Sequence, residues 1–262
     1  MKRKDLLYVL ILIILLYFAP TFCIAFIACG FADFQRSRQF DIANWRRYFL
    51  GNGLLTWVLS PLNLLVDLMC THNRGVYALA DLPESHQEEI RYVIAAFRKN
   101  LPYIQERLAA QMPDKRRGMC FARWYGVPIE SSIDLPDLAR NFSYVQTIGI
   151  SVFNQRQSTS VHYGPLRLTL RCLYNLRPVH DENVYIKVAG RRHYWHDDPL
   201  FIFDDTLVHQ SVNESDRLRY CIFLDVLRPT YFGRVLHALV TGVRLSVISV
   251  RRVFYANWEM IR

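Results

Sequence analysis

Two histidines and one arginine carry the chemistry that this chain can offer. His162 and His209 stand 47 residues apart, on either side of several strand-like runs, and Arg219 follows the second histidine by ten positions. Neutral imidazole is a good ligand for ferrous iron. A guanidinium pairs bidentately with a carboxylate and keeps its charge. The set reads as a redox metal held by His162 and His209, with an acidic co-substrate held by Arg219. Oxygen-activating iron sites commonly use two histidines and one carboxylate. Here the position two after the first histidine, where that carboxylate would be expected, is Gly164. Arg217 competes with Arg219 for the co-substrate role if the strand has already begun at 217.

The elements around these residues predict an α+β domain with a β core. From Tyr144 onward, YVQTIGISVFN, LRLTLRCLYNL, NVYIKVA, LFIF and RYCIFLDVL are each of strand length. They are rich in branched and aromatic residues and separated by polar turns. Such a series predicts a jelly-roll or sandwich over residues 144–230. Before it, residues 71–143 read as a helical support region. Pro83–Gln111 is one amphipathic helix or two, with a capping box at Ser85 and Glu88. Ile90, Val93, Ile94, Phe97 and Leu101 follow at helical spacing. Residues 112–142 read as irregular, with RWYGVPI as a strand or turn beside the core.

The ends of the chain predict a membrane. MKRKD precedes an uncharged run from Leu6 to Ala32, longer than the ~20 residues a spanning helix needs. Residues 1–32 are therefore expected to be a transmembrane anchor, too long for the apolar core of a signal peptide. Within residues 33–70 a basic linker leads to a second uncharged run, Tyr48–Val66. Asn52, Asn63 and Pro61 make that run an interfacial or re-entrant pair broken at Ser60-Pro61 as readily as a span. Residues 231–262 read as a basic amphipathic helix on the membrane surface. The formal charge of +9 suits nucleic acid or an anionic membrane equally. The basic clusters lie beside apolar runs and no nucleic-acid module is present, so the expectation is a membrane and no nucleic acid. Six cysteines without a CxxC pair are expected to be buried free thiols. Nothing in the sequence specifies an oligomer.

Residues 144–230 resemble the aspartyl/asparaginyl β-hydroxylase family of iron(II)- and 2-oxoglutarate-dependent oxygenases. The resemblance rests on His162-x-Gly-Pro165, Arg171, Phe203-Asp204-Asp205-Thr206-x-x-His209, Asn213, Arg219 and Asp225-Val-x-Arg-Pro229. It implies a double-stranded β-helix in which His162 and His209 are the only protein ligands of Fe(II). Water takes the place of the carboxylate, so Gly164 is itself a family trait. It further implies that Arg219 pairs with the distal carboxylate of 2-oxoglutarate, that Arg171 is a second co-substrate contact, and that Ser151 assists. No catalytic residue is implied beyond these ligands. Asp204 or Asp205 is a candidate to accept the second ring proton of a ligand histidine. Two departures stand out. Leu173 occupies a position where the family usually has a histidine, and His196-Asp197-Asp198 replaces a glycine expected shortly after Trp195.

The apolar amino terminus, LLTWVLSPLNLLVDLM and LADLPE further resemble the membrane-anchored bacterial lipid A hydroxylases. That resemblance implies an oxidoreductase in the inner (plasma) membrane of a bacterium, its catalytic domain facing the cytoplasm. Its substrate would be lipid A or another anionic membrane lipid, and it would consume 2-oxoglutarate and O2 to hydroxylate an acyl chain. The alternatives are a peptidyl aspartate/asparagine β-hydroxylase and a non-catalytic membrane-bound jelly-roll binding protein.

Overall fold

The computed structural model describes residues 13–14, 17, 19–71, 73–131, 133–247 and 258–261. Residues 1–12, which hold much of the expected membrane anchor, lie outside the described residues. Among the described residues no helix is long and apolar enough to cross a membrane. The helices are α1 (Pro20–Gln35), α2 (Ile42–Leu50), α3 (Leu54–Val58), α4 (Ser60–Met69), α5 (Glu84–Lys99), α6 (Leu101–Ala109) and α7 (Gly233–Val247). The strands are β1 (Val76–Tyr77), β2 (Arg117–Trp124), β3 (Val127–Pro128), β4 (Val145–Phe153), β5 (Gln157–Ser158) and β6 (Thr169–Asn175). They continue with β7 (Val184–Val188), β8 (Arg191–Tyr194), β9 (Leu200–Phe203), β10 (His209–Asn213), β11 (Arg219–Leu227) and β12 (Glu259–Met260).

These strands form two sheets. The larger runs β1-β9-β6-β11-β4-β2-β12, with β3 on the end of β2, and the smaller runs β5-β10-β7-β8. Pairing is antiparallel except between β12 and β2. The alternation of side chains along a strand divides the large sheet into two faces. Ile148, Ile150 and Val152 of β4, Leu170 and Cys172 of β6, and Ile222, Leu224 and Val226 of β11 face one way. They pack on Ile90, Val93 and Phe97 of α5 and Ile104 and Leu108 of α6. The alternate residues Leu173, Cys221 and Phe223 face the small sheet, with Val184, Ile186 and Val188 opposite.

Several expectations change. The strand β2 lies inside the large sheet, although residues 112–142 read as irregular; RGMCFARW has only a partial alternation and hides its strand character. Ser85 lies within α5, whose N-cap is Pro83, and no side-chain cap is formed. The carboxylate of Glu89 instead accepts the backbone N–H groups of Ser143, Tyr144 and Val145 at 2.7–2.9 Å, which ties α5 to the start of β4. The carboxy-terminal segment is not one helix throughout: α7 is described as far as Val247, residues 248–257 lie outside the described residues, and residues 259–260 form a strand.

The helix α5 also buries His86, stacked on the Tyr144 ring at 3.9 Å. Burial pulls its pKa down to about 4. The unfolded chain takes up this proton near pH 6.5 and the folded chain does not, so His86 erodes stability as pH falls from about 6.5 to 4. His86→Gln is expected to flatten that part of the stability profile, read as the urea midpoint of wild type and variant at each pH.

The amino-terminal helices are fastened to the sheets by buried charge. The guanidinium of Arg167, 1% exposed, pairs with Asp33 of α1, with Asp67 of α4 at 2.9 Å and with Asp204 at 3.1 Å. Arg228 reaches Asp67 and Asp204 at 3.3 and 3.6 Å, and Arg36 reaches Asp204 at 2.8 Å. Burial alone would raise the Asp204 carboxyl. The three arginines override it and hold the group far below the usual carboxylate range.

Candidate functional site

A cavity of about 170 Å³ opens between the sheets. Its walls are the inward residues of successive strands: Ser151 and Phe153, Arg171 and Leu173, His209 and Ser211, Arg219 and Cys221. His162 borders it from the loop after β5. His162 and His209 pair across an isolated antiparallel bridge, and their ring centroids are 4.2 Å apart. The turn chemistry around Gly164-Pro165 and the start of β10 thus brings together imidazoles that are distant in sequence.

The tautomers follow from the hydrogen bonds. The Nδ1 of His162 lies 2.7 Å from the Ser160 carbonyl, and that of His209 lies 2.8 Å from the Leu207 carbonyl. A carbonyl only accepts, so each Nδ1 carries the proton and each Nε2 keeps its lone pair. In both cases the orienting partner is the carbonyl two residues earlier. The expectation that Asp204 or Asp205 would do this is corrected: Asp204 is committed to the arginine cluster, and Asp205 pairs with Arg171. Burial depresses the pKa of both histidines, and the neighbouring imidazole depresses His209 further. Both stay neutral, as metal ligands must.

Gly164 is required by its surroundings. Its N–H donates to the Asp205 carbonyl at 2.7 Å. A Cβ at 164 would lie 2.5 Å from Asp205 Cγ and 2.8 Å from the Asp205 carbonyl oxygen. No acidic side chain can be built there without displacing the turn that leads to His209. Among the described residues no group of three His, Cys, Asp or Glu side chains is placed to hold a metal; His162 and His209 stand there as a pair. Gly164→Ala is expected to cost about 1–3 kcal/mol, as overpacking of a filled site does, and Gly164→Asp more, without gaining a third ligand. Thermal unfolding of the two variants checks this.

Arg219 lies on the same wall, 4% exposed. Its guanidinium rests 4.2 Å from the Phe153 ring and 5.4 Å from the Trp195 ring. Nη2 donates to Ser211 Oγ at 2.6 Å, while Nε and Nη1 are buried without a partner among the described residues. Burial lowers its pKa, and no carboxylate opposes the effect. A buried, unmatched guanidinium costs several kcal/mol unless an anion meets it. The strand begins at 219, which leaves Arg217 exposed in the preceding turn. The Asn213 side chain shapes that turn by donating to the Asn154 and Arg217 carbonyls.

Arg171 enters the cavity in a different state. It donates to Asp225 and Asp205 at 2.8 Å each and lies 3.9 Å over the Phe223 ring. Burial, opposed by Arg171 and reinforced by Asp225, pushes the Asp205 carboxyl up to about 7. Ser151 also lines the cavity and donates to the Cys221 carbonyl at 3.1 Å. Leu173 shares the inward face of β6, and Tyr174 packs on the opposite side among the helices. No polar group of this strand stands where the histidine expected at 173 would be.

The sequence reading missed what braces the His162 loop. Asn52 donates to the Val161 carbonyl, Thr56 to that of Gly164 and Asn63 to that of Pro165, while Asn63 Oδ1 accepts the Arg167 N–H. These residues, with Ser60 and Asp67, recur every three or four positions through an apolar run. That polar stripe was the available signal.

Two neutral imidazoles and a buried guanidinium lacking an acid line one cavity, an arrangement that could hold a metal and a carboxylate ligand. Residues 129–229 match the family model described as Aspartyl/Asparaginyl beta-hydroxylase. A curated relative, the ornithine lipid ester-linked acyl 2-hydroxylase of Rhizobium tropici, is 29% identical over 84 residues. That match covers 32% of this chain and 30% of the relative. Solved structures share the chain more loosely. A prolyl hydroxylase from Trichoplax adhaerens, in complex with a hypoxia inducible factor peptide, is 16% identical with a TM-score of 0.35, covering 70% of this chain and 96% of that one. An oxidoreductase of the 2OG-Fe(II) oxygenase family from Burkholderia pseudomallei is 10% identical with a TM-score of 0.27, covering 33% and 44%. Residues 129–229 are thus similar to the aspartyl/asparaginyl β-hydroxylase family, a family of 2-oxoglutarate- and Fe(II)-dependent dioxygenases, and the match spans 30% of the length of the curated relative.

Proposed function

We propose that this protein is a membrane-associated hydroxylase that inserts one oxygen atom of O2 into a C–H bond of a lipid acyl chain. The observation that carries the co-substrate assignment is Arg219, buried beside the paired histidines with two unpartnered nitrogens. His162 and His209 would hold ferrous iron through Nε2, and Arg219 would take the distal carboxylate of 2-oxoglutarate. When bound, these groups supply the oxidising chemistry, in which 2-oxoglutarate and O2 give succinate, CO2 and the hydroxylated product.

The protein's own contribution is orientation. The Ser160 and Leu207 carbonyls fix the two tautomers. Phe153 and Trp195 exclude water around the Arg219 guanidinium and so strengthen its pairing with an anion. Arg171 holds Asp205 and Asp225 as an internal cluster, and its co-substrate contact requires that it share its charge with them. The inward faces of two sheets in a double-stranded β-helix provide the rigid elements that such a site needs.

A lipid substrate is supported by the polarity of the helices that cover the His162 loop. Thr56, Ser60 and Asn63 face inward and are fully buried, whereas Leu55, Val58, Leu65 and Leu68 are 45–80% exposed. Tyr231 and Phe232, next to the end of α4, are 74% and 54% exposed. A helix that is polar inward and apolar outward is at home against hydrocarbon. The activity for which the Rhizobium relative is named points the same way. Lipid A is our candidate, presented at the cytoplasmic face of a bacterial inner membrane, where the arginines near the helices would meet lipid phosphates.

The test is anaerobic purification in detergent, loading with Fe(II) and 2-oxoglutarate, and measurement of iron uptake and succinate release on admission of air. Wild type is expected to bind iron and release succinate with a lipid pool; His162→Ala and His209→Ala should do neither. No iron uptake and no turnover by wild type would sink the enzyme reading. Mass spectrometry of lipids from cells carrying the gene distinguishes lipid A from ornithine lipid as the species that gains one oxygen, and a modified peptide would redirect the substrate assignment.

A further inference from the structure

The carboxy-terminal strand brings a residue to the cavity that the site as read so far does not use. Trp258 lines the cavity beside Phe153 and Arg219. Its ring meets the Phe153 ring edge-on, with centroids 5.1 Å apart at 87°, and Arg117 lies 5.5 Å over its face. Phe153 is the cross-strand partner of Arg219 on one side and of Arg117 on the other. Directly paired residues project to the same side of a sheet, so two guanidinium groups flank one phenyl ring and Trp258 covers it. Neither arginine forms an ion pair among the described residues.

The strand is anchored at several points. Glu259 and Met260 pair with Gly118 and Met119 of β2. Ile261 donates its N–H to the Met119 carbonyl at 2.9 Å and is 3% exposed. Glu259 accepts the Arg116 N–H at 3.2 Å. Gly118 makes room for Ile261, since a Cβ there would lie 2.2 Å from Ile261 Cδ1. Trp258 directly precedes this strand, so the strand's seating makes the indole part of the wall.

We infer that Trp258 is a positioning residue for the co-substrate. It holds the Phe153 ring against which Arg219 lies and closes that end of the cavity to water, so that binding of a dicarboxylic 2-oxo acid depends on the carboxy terminus of the chain. Excluding water strengthens a charge pair, and a fixed aromatic edge keeps the guanidinium in register with its ligand. The inference rests on Arg219 as the carboxylate partner.

The test measures 2-oxoglutarate affinity directly, by isothermal titration calorimetry on the full chain in detergent with Mn(II) replacing iron. Trp258→Ala is expected to weaken binding about tenfold, Trp258→Phe to stay within about threefold of wild type, and Mn(II) affinity to be unchanged. In turnover with Fe(II), the KM for 2-oxoglutarate should rise more than kcat falls. Trp258→Leu keeps apolar volume without the aromatic edge, and serves if the alanine variant does not fold; it too should lose about tenfold. Folded variants that bind 2-oxoglutarate as tightly as wild type overturn the role of Trp258 and leave Arg219 untouched. Wild type that does not bind 2-oxoglutarate overturns the co-substrate reading and this inference together.

Discussion

Arg219→Ala is expected to raise the KM for 2-oxoglutarate by roughly a hundredfold while metal uptake persists. A charge-assisted hydrogen bond contributes about 1.5–3 kcal/mol, and each 1.4 kcal/mol is a factor of ten in affinity. Arg219 offers two buried, unpartnered nitrogens among the described residues, and either of them with the second N–H of Nη2 would make a bidentate pair with a carboxylate, so its loss would remove more than a single contact. The ligand histidines take their orientation from the Ser160 and Leu207 carbonyls, not from Arg219, which is why metal uptake should survive. Arg219→Lys should recover only part of the loss, because an ammonium cannot reproduce the planar fork. Metal content by elemental analysis, set beside steady-state kinetics, separates the two effects. Equal loss of both would show that Arg219 supports the fold and not the co-substrate.

Arg167→Met is expected to lower the unfolding free energy by about 3–5 kcal/mol, the range for removing one partner of a buried ion pair. Three carboxylates, Asp33, Asp67 and Asp204, take charge from this one side chain, and Arg36 and Arg228 cannot neutralise all of them from where they stand. The urea midpoint in detergent reads the effect. Asp33→Asn in the Arg167→Met background should recover part of it, since it removes the carboxylate that is left without its partner. A midpoint unchanged by Arg167→Met would mean that the buried charge cluster does not fasten the helices to the sheets.

Much of the site was legible because β-strand chemistry is periodic. Each of the five strand-like runs appears as a strand, and the alternation that placed Arg219 inward also placed Leu173 inward and Tyr174 outward. His162 and His209 could be nominated from spacing and surroundings, since a pair of strands is a simple way to unite distant residues. What was not legible depends on partners that no period encodes. The Nδ1 acceptors are main-chain carbonyls, which are invisible in a list of side chains. The engagement of Arg171 by Asp205 and Asp225 requires three strands in register. The inner strand β2 has a weak alternation, and β12 is two residues long, so neither carries a pattern of its own. The apolar run of residues 48–66 drew attention for what it lacks, charge, while its few polar residues are the ones that touch the His162 loop.

The helices with a polar inner stripe and apolar outer face have a thermodynamic consequence. Thr56 and Asn63 hold the loop that carries His162, so a medium that covers Leu65 and Leu68 would act on the proposed site as a ligand does in the linkage sense. If the imidazole pair holds a metal, as proposed, and binds it more tightly when the helices are seated, a medium that favours the seated helices would raise that affinity, and metal binding would in turn favour that medium by the same factor. The surroundings of the protein would then be an allosteric effector of its chemistry, acting through two side chains and one loop.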